Sequence, residues 1–477
     1  MAADMVTAGS TKLRKLRLIA VIGLLPACAV AADVKMGVSA AVSYLDNVFL
    51  ATSPNETADT VYQASPWIDI LHESPRLDAV LNYRYDYYRY SDLDTSSSFH
   101  SGIASLTAKA WQDSLKFEVG ARRRQVLNSP DFIIPSGRLP LSNSLVDRDE
   151  VWINPRFERN LGGTATVNAN YRRVVSRYGD ESVSGDTSQR GLFSIDNYRA
   201  GLGLTWAVRY DWRRTEYETA IPWEYQQAKA EVGFWVSKSL RFFGSAGKES
   251  DHNRPLDPSL QSSLWEAGFS YSTAKVSAEF AAGERSFGST FRGKLDYKFR
   301  RGSTTLRYSE EPASIGFNRS ILFHLGNLDP GDIGDYLNSP GSTERFVIKR
   351  LQWDLDVDLR RTGIKLIAFD ETRSGRFASD GTPLDDQSQS GVKATATWKP
   401  GVRTSFTLTG AIVNRDSTSS NKSQFSRAGL AIGYALSSRS ILTLSYDHSE
   451  QQPKGDSSTS RDYVSSMVSL LFDFTFL

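Results

Sequence analysis

The chain is poor in cysteine, histidine and long apolar runs, and each shortage removes a class of protein. Its 477 residues include one cysteine, four methionines and five histidines. The cysteine, Cys28, lies within an N-terminal export signal. In that signal Lys12, Arg14, Lys15 and Arg17 form a basic flank, Leu18 to Leu25 an apolar core, and Ala29-Val30-Ala31 a small-residue cleavage site. Cleavage is expected after Ala31, leaving residues 32–477 without a thiol. That excludes disulfides, thiolate metal sites and cysteine nucleophiles. The signal carries four basic residues and one acidic, so its removal takes the formal charge from +2 to −1. A chain so near neutrality offers no argument from its overall charge for nucleic acid or anionic lipid as a partner. Beyond the signal no apolar run approaches the roughly 20 residues that a membrane helix needs. Mean hydropathy is −0.37, and no fixed repeat of the β-helix kind is present.

What the mature chain does have is alternation. Leu351, Trp353, Leu355, Val357 and Leu359 interleave with Gln352, Asp354, Asp356, Asp358 and Arg360. A period of two with one apolar and one charged face describes a strand between two different solvents. Phe291, Leu295, Tyr297 and Phe299 repeat the pattern against Arg292, Lys294, Asp296, Lys298 and Arg300. An early strand carries Leu77, Ala79, Leu81, Tyr83, Tyr85 and Tyr87 on one face. Connections alternate as well. Tight turns fall near Ser74-Pro75, Asp113-Ser114, Leu161-Gly162, Lys238-Ser239, Arg301-Gly302, Thr362-Gly363, Pro400-Gly401 and Ser437-Ser438. Longer polar segments lie between them at 51–58, 91–97, 128–147, 178–190, 251–261, 311–343, 374–386, 415–421 and 450–460; only the link near Phe287-Gly288 is short where a loop is due.

This pattern predicts an all-β chain, an antiparallel up-and-down transmembrane β-barrel of about 22 strands (between 20 and 24). Both termini are expected on the periplasmic side, with long extracellular loops at 128–147 and 311–343. A periplasmic sandwich would not need so many two-faced hairpins. The last strand sets Val464, Val468, Leu470, Phe472, Phe474 and Phe476 against Ser465, Ser469, Asp473 and Thr475. Phe472, Phe474 and Phe476 are the expected assembly signal, displaced one place from the end by Leu477. In a soluble protein such an edge would invite aggregation.

Several segments resemble the outer-membrane barrels associated with the PEP-CTERM/exosortase system of exopolysaccharide-producing bacteria. The first are Tyr44-Leu45-Asp46-Asn47-Val48-Phe49 and Ser65-Pro66. Later come Gly247-Lys248-Glu249-Ser250-Asp251, Gly283-Glu284-Arg285-Ser286-Phe287-Gly288, Arg300-Arg301 and Tyr308-Ser309-Glu310-Glu311. The resemblance implies a porin-like barrel of Gram-negative bacteria that takes part in exopolysaccharide export. It brings no catalytic residues.

Lumen-facing charge is the main candidate for function. Lys116, Glu118, Arg122 and Arg124 share one face of an early strand. Arg292, Lys294, Lys298 and Arg300 share another, followed by Arg307, and Asp354, Asp356 and Asp358 lie two strands on. They would line a permeation path for an anionic polymer, or they neutralise one another as structural ion pairs. Ile321-Leu322-Phe323, too apolar for a solvated loop tip, would form a constriction loop or pack on neighbouring loops. Asp329, Asp332 and Asp335 have carboxylate chemistry suited to calcium but lack the spacing of a known loop, and read as an acidic turn. Asp447-His448-Ser449 is the nearest approach to a catalytic set, yet alternation places His448 on the lipid face. The expectation is therefore a non-enzymatic barrel with no cofactor and no metal. It would be an export channel for exopolysaccharide or a related envelope polymer, or else a structural or surface-interaction barrel with a plugged lumen. The expected partners are outer-membrane lipid and lipopolysaccharide, the barrel-assembly machinery, exopolysaccharide and periplasmic export components.

Overall fold

A closed barrel satisfies every strand's backbone hydrogen bonds without leaving an edge, which is what a β-chain in lipid requires. In the computed structural model the chain does this. The structure describes residues 32–127, 141, 145–162, 164–180, 183–197, 203–218, 220–251, 261–314, 344–377, 382–418, 421–454 and 462–476. Its strands are β1 (Asp33–Leu45), β2 (Asp59–Glu73), β3 (Leu77–Tyr90), β4 (Thr95–Ala110), β5 (Leu115–Leu127), β6 (Leu145–Leu161), β7 (Ala165–Tyr178) and β8 (Asp186–Asp196). There follow β9 (Leu204–Tyr217), β10 (Trp223–Trp235), β11 (Leu240–Asp251), β12 (Gln261–Ser272), β13 (Val276–Arg285), β14 (Gly288–Phe299), β15 (Gly302–Ser314) and β16 (Arg345–Asp358). The chain ends with β17 (Thr362–Phe377), β18 (Pro383–Leu384), β19 (Gln387–Trp398), β20 (Thr404–Thr418), β21 (Asn421–Ala435), β22 (Ser440–Pro453) and β23 (Tyr463–Thr475). β18 is a two-residue rung on the end of β17. The other 22 strands form the wall, each antiparallel to its neighbours in sequence, as the alternation predicts.

β1 closes the wall against β23, in register from Gly37↔Thr475 to Leu45↔Met467. Inside the seam Ser43 Oγ donates to Ser469 Oγ at 2.7 Å, and Ser39 hydrogen-bonds Asp473. Outside it, Val42 faces Leu470 and Ala40 faces Phe472. Phe472, Phe474 and Phe476 all point outward and touch one another, with ring centroids 6.4 and 5.1 Å apart. Trp353, Leu351, Phe291, Leu295, Tyr87 and Leu408 likewise stand exposed on the outer wall. In water this would be an unstable surface; in lipid it is the membrane belt.

All the tight turns named above lie at one end of the barrel, with the start of β1 and the end of β23; the strand ends that flank the longer links lie at the other. We call these the turn end and the loop end. Strands run further toward the loop end than the sequence suggests. Thr95–Ser97, Asp186–Arg190, Glu311–Ser314 and Glu450–Pro453 are strand, not loop. Polar residues on both faces hide a strand from a periodicity argument once it has left the lipid. The link at Ser286-Phe287 is as short as expected.

At the loop end the β1–β2 link folds inward. Asn47, Val48 and Leu50 are buried. Asn47 Nδ2 donates to Ala51 O at 2.8 Å and Val464 O at 2.9 Å, while Ser466 N donates to Asp46 Oδ1 at 2.7 Å. Val48 packs with Leu45, Val61, Tyr88 and Tyr90, and Leu141 N, from the β5–β6 link, donates to Val48 O at 2.9 Å.

Candidate functional site: the lumen and its loop-end closure

Register assigns each side chain to the lumen or the lipid, so the lining can be built strand by strand. On β9 the inward series includes Asp211, Arg213 and Thr215. Arg213 Nη2 donates to Asp211 Oδ2 at 2.7 Å, and Arg190 from β8 grips the same carboxylate at 3.0 and 3.2 Å. Arg213 then reaches across the lumen, its Nη1 lying 3.4 Å from Glu311 Oε2 on β15. Beside it Ser314 Oγ lies 3.3 Å from Thr215 Oγ1. Arg345 of β16 donates to Ile221 O at 3.3 Å. The loop ends of β9–β10 and β15–β16 are six strands apart along the wall and still touch. The wall is pinched there by polar contacts.

A second hub sits inside the pinched lobe. The Glu249 carboxylate accepts from Arg285 Nη2 at 2.9 Å, Arg285 Nε at 3.1 Å, Tyr225 OH at 2.7 Å and Ser286 N at 2.5 Å. Arg285 Nη1 donates onward to Glu310 O at 3.3 Å, and its guanidinium lies over the Phe287 ring. A Cβ at Gly283 would sit 1.9 Å from the Trp265 carbonyl oxygen, so only glycine permits this approach. Three of the segments that carried the family resemblance, around Glu249, Arg285 and Glu310, therefore converge on one cluster.

The sequence-named charges fall on the lumen with one exception. Arg122 and Arg124 face inward beside Glu150 and Arg148 on β6. Arg292 pairs with Glu279 and lies 3.6 Å from Glu266; Lys294 pairs with Asp296 on its own strand at 2.8 Å. Lys298 and Arg307 are inward, and Arg307 is the cross-strand neighbour of Lys294. Asp354 accepts from Gln352 at 2.8 Å, Asp356 lies 3.9 Å from Lys365, and Asp358 ends its strand exposed. The exception is Arg300. It sits in the β14–β15 turn and lines nothing, because the strand stops at Phe299. The basic strand β14 does not pair with Asp354 and Asp356 two strands away; Arg292, Lys294 and Asp356 each have a partner on their own or the adjacent strand, or within two strands. Neutralisation is local, as flexible long side chains on adjacent strands favour.

Asp447, His448 and Ser449 separate as alternation requires. Asp447 faces inward, 2.6 Å from Arg427 Nη2, while His448 points outward with Nδ1 3.1 Å from Ser466 Oγ. Ile321, Leu322 and Phe323, and also Asp329, Asp332 and Asp335, lie outside the described residues. Among the described residues no His, Cys, Asp and Glu group is placed to hold a metal ion.

Sequence reasoning passed over Asp211, Arg213, Tyr225 and Thr215. The inward face of β9 was legible as Asp211, Arg213, Thr215, but nothing in a single chain marks which residues lie across a lumen.

The fold is that of a 22-stranded outer-membrane β-barrel. It is similar to the siderophore receptor PirA of Acinetobacter baumannii, at TM-score 0.52 and 8% identity over 93% of this chain and 80% of that one. It is also similar to a ferric enterobactin receptor mutant (PfeA) of Pseudomonas aeruginosa, at TM-score 0.51 and 11% identity over 94% and 81%. At such identity the likeness is one of fold. No family model matches the sequence, and no curated protein matches it significantly.

Proposed function

We propose that this chain is a non-enzymatic envelope-transport barrel, a channel whose loop end is latched shut by polar contacts across the lumen. The carrying observation is the Arg213–Glu311 and Thr215–Ser314 contact between stretches of wall six strands apart. It stands above a lining of water-exposed charge on β14–β17. A latch of hydrogen bonds can exchange them for water at small net cost. A barrel of this strand number is wide enough to leave a lumen unless something fills it. In this reading the turn end faces the periplasm and the loop end the exterior, as short turns and longer loops are disposed in known barrels.

The cargo class is an exopolysaccharide or related envelope polymer. That part rests on the segments resembling exopolysaccharide-associated barrels and on the mixed charge of the lining. The fold likeness to siderophore receptors is compatible with transport and does not name a cargo for this chain. Single-channel conductance of the refolded protein tests the reading. Wild type should be mostly closed, and deletion of residues 315–340 together with Arg213→Glu should open it. A barrel that stays closed after both changes is plugged, and the structural alternative then holds. Loss of secreted polysaccharide on gene deletion tests the cargo class.

A further inference from the structure

The outer wall over β5–β9 is not a uniform belt. Small outward residues, Pro155 on β6, Ala169 on β7 and Gly191 on β8, lie on adjacent strands, with Phe157 on one side and Phe193 and Trp212 on the other. They form a groove of about 470 Å³ on the lipid side, lined mostly by apolar atoms. Toward the loop end of the same strands the outward face changes character. On β7 the groove residue Tyr171 is followed by Arg173 and Arg177, both exposed. On β8 Gly191 gives way to Gln189, and on β9 Trp212 gives way to Arg214. Arg173, Gln189 and Arg214 form one cross-strand row. Tyr171 OH donates to Gln189 Oε1 at 2.9 Å, which leaves the amide NH2 of Gln189 to donate elsewhere. Arg214 is balanced by Glu216 at 2.9 Å and Glu224 at 3.9 Å. Arg173 and Arg177 make no ion pair among the described residues; Asp149, the cross-strand neighbour of Arg177, lies 3.6 Å from Arg123 instead.

An apolar groove ending under two exposed arginines that make no ion pair, at the edge of the belt, matches a molecule with an acyl chain and a phosphate. Exposed arginine beside lipid attracts anionic headgroups, and its fork pairs phosphate oxygens bidentately. We propose that this surface binds lipid A of lipopolysaccharide, one acyl chain lying in the groove and a glucosamine phosphate on Arg173 and Arg177. Lipid A is chosen over a phospholipid because the arginines lie toward the loop end, the exterior face in the reading above, on which this assignment rests.

The test is titration of the refolded barrel in detergent with lipid A, followed by native mass spectrometry. Arg173→Ala/Arg177→Ala should weaken binding at least tenfold, and the difference should vanish with dephosphorylated lipid A. Gly191→Leu is a second variant. A Cβ there meets only the Trp212 ring at 3.5 Å, so the wall tolerates it while the groove fills. It should weaken both lipids. Wild-type affinity in the arginine variant would overturn the proposal, and so would equal, arginine-dependent binding of phosphatidylglycerol. Conductance is unaffected in these outward-facing variants, so a failed lipid titration and a failed channel measurement remain distinguishable.

Discussion

Two ends of the same pair of strands, β16 and β17, show how one wall can hold two kinds of interior. At the loop end Glu371 and Arg373 pair at 3.0 Å, and each side chain is 1% exposed. At the turn end Asp356 and Lys365 lie 3.9 Å apart, 56% and 72% exposed. Each pair is one carboxylate and one cation, and the alternation is unbroken. What differs is the access of water. Where the lumen is filled, charges must pair closely, because an unpaired buried ion is costly. Where it is wet, a pair gains little from closing up. β5 and β6 repeat the contrast: Arg148 and Glu150 are almost wholly buried toward the loop end, while Arg156 and Glu118 toward the turn end are partly open to water.

The largest effect of breaking this comparison should come from the hub. Glu249→Ala strands Arg285 in a buried site and should cost about 3–5 kcal/mol in urea unfolding from micelles. Asp356→Ala should cost under about 1 kcal/mol by the same assay. Similar losses at the two sites would mean that the interior is uniformly wet or uniformly dry. Next in size, Phe472→Ser/Phe474→Ser should reduce the heat-modifiable, folded fraction in the outer membrane severalfold, because those rings close the seam and carry the expected assembly signal. An undiminished folded fraction would remove the terminal strand from that role. Smaller still, Lys294→Glu/Arg307→Glu should move the ion selectivity of an opened channel toward cations, and the shift should fade at 1 M salt, where screening reaches only about 3 Å. Unchanged selectivity would place these residues off the conducting path.

Much of the wall was legible in the sequence because a half-wet strand writes its two solvents into alternate residues. Phe472, Phe474 and Phe476 faced lipid as read, and Arg292, Lys294 and Asp354 faced the lumen. The reading ran on into the turn at Arg300, since no change of charge marks the end of β14. It stopped short at Glu311–Ser314, where both faces are wet or buried among polar groups and the period vanishes. Partners across the lumen were illegible for a different reason. Parity tells which side Arg213 faces, but Glu311, 98 residues on, is brought to it only by the bend of the whole wall. The outer groove was hidden likewise, because Pro155, Ala169 and Gly191 become neighbours through register alone.

The closure itself can be addressed most directly through Thr215 and Ser314, whose hydroxyl oxygens lie 3.3 Å apart. In a Thr215→Cys/Ser314→Cys protein lacking residues 1–31 and 315–340, with Arg213→Ala to weaken the latch, those cysteines are the only thiols. Single-channel recording should find it conducting when reduced and closed when oxidised, reversibly. Equal conductance in the two states would contradict a latch at this position.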